Sequence, residues 1–120
     1  MGPVDPVTAA GPTQLTGEAE ALRRYGLTDL LDDLAGSTDP GESALIRWHV
    51  WIGAAERALA AGGHWLGTGK WLLRELRAAD PVLAARLTAA VGDQVLLAPV
   101  AEQVLARCGG PLRAGSRLDG

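Results

Sequence analysis

Between residues 45 and 59 apolar side chains return at steps of three and four, as Leu45, Trp48, Ile52, Ala55 and Leu59, which is the period of one helix face. Val50, Trp51, Ala54 and Ala58 widen that stripe past half the circumference, so the spacing predicts a central helix packed on more than one side. Its ends are marked as well. Asp39 before Pro40 offers an N-cap followed by a proline whose missing N–H costs nothing in the first turn, and Gly62-Gly63 closes the other end, giving a helix over about 40–61.

The same reading carried outward gives a bundle. Thr16-Gly17-Glu18 supplies a hydroxyl cap and an early acid before Ala21, Leu22 and Tyr25, with Gly26 as the expected C-cap. A second short helix is expected from Thr28 to Leu34 on Leu30, Leu31 and Leu34. After the central helix, Thr68 is the expected N-cap of a helix to about Ala79 with Leu72, Leu73 and Leu76 inward. Asp80-Pro81 repeats the cap-then-proline signal and starts a helix to about Val91, with Leu83, Leu87 and Val91 inward. A last segment passes through Val95, Leu96, Val100, Val104 and Leu105, with Pro99 as a kink or fresh start and Cys108-Gly109-Gly110-Pro111 as its end. No stretch alternates with period two. Residues 1–15 carry Pro3, Pro6 and Pro12 and almost no bulky apolar residue, which predicts a flexible arm. The expected fold is therefore all-α: a single bundle of about five or six helices over 16–120, with a flexible N-terminal arm.

Composition narrows the class without naming a function. At 120 residues there is material for one core. Eleven basic residues against 14 acidic ones give no excess of cations for phosphate contact, so nucleic acid is not an expected partner. The apolar region 44–61 is interrupted by Arg47, His49, Glu56 and Arg57 and does not read as a membrane span. One cysteine, Cys108, excludes an internal disulfide and fits a reducing compartment, and the N-terminus has no basic region followed by an apolar run. A cytoplasmic protein is the expectation.

The densest candidate chemistry lies in GGHWLGTGKWLLREL, residues 62–76. Gly67-Thr68-Gly69-Lys70 has the look of a phosphate-binding loop, but the glycine that motif needs falls on His64 and its hydroxyl on Trp71, and no strand precedes it. Two readings remain. In one, the glycines make a tight helix-loop-helix turn and Trp65 and Trp71 fill the gap between the helices. In the other, Thr68, Gly69 and Lys70 sit at a helix N-terminus that attracts an anion weakly, with Arg74 and Arg77 extending the positive field along the same face. A metal site is not expected, because His49, His64 and Cys108 stand at no ligand spacing. His49 and Glu56, two turns apart, are a formal base and acid neighbour, and Asp29, Asp32 and Asp33 read as capping and solvated charge. No catalytic residue and no cofactor is expected.

The run Gly69-Lys70-Trp71-Leu72-Leu73-Arg74-Glu75-Leu76-Arg77, followed by Ala79-Asp80-Pro81 and Leu83-Ala84-Ala85-Arg86-Leu87, resembles the C-terminal helical region of nucleotidyltransferase-domain proteins, particularly actinobacterial ones. The closing Gly109-Gly110-Pro111-Leu112-Arg113-Ala114-Gly115-Ser116-Arg117 is similar to the tail of the same group. The resemblance covers the second half to two thirds of the chain. It implies helices that help form an acceptor-substrate cleft or a subunit contact, beside a catalytic α/β domain carrying Gly-Ser and Asp-x-Asp carboxylates. This chain departs from that pattern: Gly36-Ser37 is followed by no Asp-x-Asp and no strand carries one. The resemblance thus implies an accessory domain that is not catalytic alone and that works with a protein partner or as a homo-oligomer. A small self-standing protein–protein interaction module is the alternative.

Overall fold

The central helix begins on the cap its sequence announces: the Asp39 carboxylate accepts from the Glu42 N–H at 2.9 Å, with Pro40 in the first turn. The structure, a computed structural model, describes residues 17–64 and 66–111. Among these it holds five α-helices and no strand: α1 (Gly17–Gly36), α2 (Pro40–Ala61), α3 (Lys70–Ala79), α4 (Pro81–Ala89) and α5 (Gln94–Arg107). The arm over 1–15, the Thr16 cap, Trp65 and the tail from residue 112 lie outside the described residues. As expected, the fold is all-α. α2 packs against each of the other four helices and is the hub. One core joins Leu27 and Leu34 of α1, Val50, Ala54, Ala55 and Leu59 of α2, Leu72 and Leu76 of α3, Leu83 and Leu87 of α4, and Leu97, Ala101, Val104 and Leu105 of α5. No helix among the described residues is long and apolar enough to cross a membrane.

The two expected N-terminal helices are one. Gly26 is not a C-cap but an interior residue of α1, and the chain runs through it unbroken. Burial of Leu27, Leu31 and Leu34 against the bundle outweighs the roughly 1 kcal/mol that a helical glycine costs. Thr28 is buried in mid-helix, where its hydroxyl donates to the Arg24 carbonyl at 2.8 Å instead of capping.

The face that α2 buries also differs from the expected stripe. Leu45 and Trp48 are 65% and 56% exposed and Ile52 is half-buried, while Ser43, Val50, Ala54, Ala55, Arg57 and Leu59 are buried. Close packing contributes to the choice: a Cβ on Gly53 would lie 3.1 Å from Leu27 Cδ1, so α2 and α1 approach tightly there.

Three smaller expectations change too. Gly69, at φ 56°, is the N-cap of α3 in place of Thr68, and no side chain caps that end. The chain must take a left-handed conformation there, which glycine adopts without penalty. Val91 is exposed because α4 ends at Ala89 and Ala90 takes the buried position. Pro99 lies inside an uninterrupted α5, on its exposed side, where the carbonyl it leaves unpaired can turn to water.

Candidate functional site

Because Trp48 is exposed and Trp51 and Ile52 are only half-buried, the middle of α2 is free to form a wall. A cleft of about 480 Å³ opens between α2, the turn at 67–69, α3 and the end of α4. Trp51, Ile52, Leu72 and Leu73 make its apolar lining, and Trp48 and Val91 stand at its edge. Trp51 is fixed there, its indole N–H donating to the Leu87 carbonyl at 2.9 Å. Thr88, on α4, gives its hydroxyl proton to the Ala84 carbonyl at 2.7 Å. The remaining polar lining is Glu56, Thr68 and Lys70. Glu56 faces Arg23 at 3.8 Å.

The turn is shaped by glycine. A Cβ on Gly67 would lie 2.8 Å from the Trp71 carbonyl carbon, so no other residue fits without moving the start of α3. Thr68, Gly69 and Lys70, the residues picked out as an anion site, therefore do come together, at the mouth of this cleft. Arg74 joins them indirectly: its guanidinium lies 4.7 Å from the centroid of the Trp71 ring, with Lys70 Nζ at 5.7 Å from the same ring. Arg77 is exposed and outside the cleft. Trp71 is 54% exposed, so it does not fill the gap between helices as the turn reading expected; it is the platform on which two cations rest.

The helix N-terminus is less open to an anion than its sequence suggests. The N–H groups of Trp71 and Leu72 turn back onto the carbonyls of Thr68 and Gly69, each at 3.1 Å. What remains at the mouth is the Lys70 ammonium and the field of the helix dipole. Among the described residues, no carboxylate lies within ion-pair distance of Lys70, Arg74 or Arg77.

His49 is exposed, its Nδ1–H donating to the Leu45 carbonyl at 2.9 Å, and Glu56 is engaged by Arg23, so the formal acid–base neighbours are each held by another group. Asp29, Asp32 and Asp33 lie on the exposed side of α1. His64, Asp80, Arg107 and Cys108 border a second cavity of about 260 Å³, where Asp80 pairs with Arg107 at 3.3 Å and the Cys108 thiol donates to the Arg57 carbonyl at 3.6 Å. Burial pushes the Cys108 thiol up and the Glu20 charge adds to the rise, while Arg57, Arg24 and Arg107 oppose it. A thiol held protonated is a poor nucleophile and a poor metal ligand. No group of three or more metal-ligating side chains is found among the described residues.

Two features had no signal in the sequence reading. Trp48 looks like core by periodicity but is exposed at the cleft, while Trp51 and Ile52 pack against the core and line the cleft as well. Arg57 looks like a surface break in an apolar run, yet it is 1% exposed and ion-paired with Glu20 of α1, with its Nη2 buried and without a hydrogen-bond partner. No protein-family model, no curated protein and no solved structure matches this chain.

Proposed function

We propose that this chain is a helical accessory domain that binds and does not transform, working through the α2–α3–α4 cleft beside a catalytic chain of nucleotidyltransferase type. One observation carries the reading. The segment that bears the resemblance, Gly69 to Arg77, lends its first residues to the same apolar cleft that Trp48 and Ile52 line from α2. A motif-bearing helix start and an apolar concavity of about 480 Å³ coincide, and binding sites are preferentially concave, apolar and edged by a few polar groups.

A photo-crosslinking amino acid placed at Trp48 in the native host tests the reading, with the same substitution at the exposed Glu102 of α5 as control. The expected result is one crosslinked protein from position 48, absent from position 102, whose sequence carries Gly-Ser and Asp-x-Asp. Equal crosslinking from both positions, or none from 48, would refute it. A second reading, the self-standing interaction module, is favoured by Leu45 and Trp48 lying exposed one turn apart on α2. A single partner at position 48 without the carboxylate motif decides for that reading.

A further inference from the structure

We infer that the cleft accepts a small carboxylate with an apolar body: the body lies against Trp51 and Ile52 and the carboxylate meets Lys70 at the mouth. This rests on the proposal that the cleft is the working surface of the domain. Its volume of about 480 Å³ lies within the range of small-molecule sites, roughly 300 to 1,000 Å³. The polar groups of its lining decide the chemistry. The indole N–H of Trp51 and the hydroxyl of Thr88 both donate to backbone carbonyls, at 2.9 and 2.7 Å, so neither donor is left for a polar ligand body. The wall around Trp51, Ile52 and Thr88 therefore favours an apolar body over a polar one, which would lose bonds to water there without replacement.

Charge sets the other end. Lys70 is the single lysine of the chain, lies at the mouth, and has no carboxylate within ion-pair distance among the described residues. Arg74 adds positive charge beside it through their shared contact with Trp71. Glu56, the carboxylate of the lining, faces Arg23 at 3.8 Å, which offsets its repulsion of an anion. Of the two charged groups in the lining, Glu56 thus has a cation beside it and Lys70 has no carboxylate, among the described residues. An apolar ligand with a cationic head would meet like charge, and a neutral one would leave Lys70 unused. The apolar side chain of a partner protein is the competing occupant.

Titration of the full-length chain with 4-phenylbutyrate, 4-phenylbutyramide and 4-phenylbutylamine at matched ionic strength, followed by amide and indole NMR shifts, separates these cases. The carboxylate is expected to bind about three- to fivefold more tightly than the amide, as one partly exposed charge contact allows, and the amine more weakly than either. Shifts are expected at Gly67 to Leu73 and at the Trp51 indole. Lys70→Met is expected to bring the carboxylate-to-amide ratio to about one while amide binding persists, because the substitution keeps the stem and removes the charge. Equal binding of amine and carboxylate, shifts located outside the cleft, or no saturable shift with any of the three compounds overturns the inference. If the compounds fail while position 48 still crosslinks to a single protein, the cleft is a protein-docking surface and this inference alone falls. If both experiments fail, the accessory-domain reading falls with it.

Discussion

Arg57 presents the sharpest energetic test of this fold, because a full charge at 1% exposure is held by one carboxylate that is itself about a quarter exposed. Removing one member of a buried ion pair costs roughly 3 to 5 kcal/mol, since the other charge stays behind without compensation. Water can reach the Glu20 side of this pair, which recovers part of that loss, so Glu20→Gln is expected to cost about 2 to 3 kcal/mol. Arg57→Met removes the charge together with the unpartnered Nη2 and keeps most of the packed stem, so its expected cost is no more than about 1 kcal/mol. The double variant then lies close to Arg57→Met alone, a coupling of about 2 kcal/mol. Urea unfolding at neutral pH, followed by far-UV circular dichroism with m-values compared, measures all four corners of the cycle. Effects of this size are a large part of a total margin of roughly 5 to 15 kcal/mol. If Glu20→Gln stays within about 0.5 kcal/mol of the wild type, or if Arg57→Met is the costlier change, the burial of that charge has been misjudged.

Other predictions concern individual turns and groups. Gly26→Ala should stabilise the chain by about 0.5 to 1 kcal/mol, because a Cβ there meets nothing within 4 Å and α1 is continuous, whereas a C-cap glycine would be destabilised by the same change. Gly109→Ala should destabilise by about 1 kcal/mol or more, since its φ is 112° and a Cβ would lie 3.0 Å from the Arg24 guanidinium; thermal melts of both variants check the pair. Asp39→Ala should cost about 1 kcal/mol in the same assay through loss of the cap on α2. The Cys108 thiol, raised by burial, should react with iodoacetamide more slowly in the native chain than in the urea-unfolded one at mildly alkaline pH. Because the unfolded chain gives up that proton first, the thiol's contribution to stability is complete below the unfolded pKa and is lost as pH rises through the folded one.

What could be read from the sequence was what is settled within a few residues. Asp39 and Asp80 cap helices three residues ahead of the N–H groups they accept from, at 2.9 and 3.0 Å, and each stands before a proline, so both starts were visible in one dimension. Gly26 shows the limit of local punctuation, since contacts of Leu27 and Leu31 with other helices overrule it. The inward face of α2 was not legible because the helix is apolar on most sides and its burial is decided by contacts between helices, such as Gly53 against Leu27. Arg57 cannot be told from Arg47 by sequence, because its partner Glu20 lies 37 positions away. At the cleft, Thr68 to Lys70 is legible as the start of a helix, while the periodicity that puts Ile52 against the core gives no sign that it and the exposed Trp48 also line a cavity.

The cleft follows from a division of labour along α2 and from the glycines of the turn. Ala54 and Ala55 of α2 are buried in the core, while Trp48 is exposed and Trp51 half-buried, and both line the cleft. Opposite them the chain returns through Gly67, Thr68 and Gly69, which contribute no side chain larger than a threonine to the lining. Gly67 cannot carry a Cβ because the Trp71 backbone is too near, and Gly69 turns left-handed to start α3, so both positions resist the larger residues that would fill the space above Ile52. The glycines that give the stretch its phosphate-loop look therefore act by geometry: they hold the turn close to α3 and keep the cleft open. The lysine after them is left at the mouth with its charge unpaired among the described residues. An apolar interior whose Trp51 and Thr88 donors are engaged internally, beside a Lys70 ammonium with no carboxylate partner among the described residues, suits the proposed ligand, apolar at one end and anionic at the other.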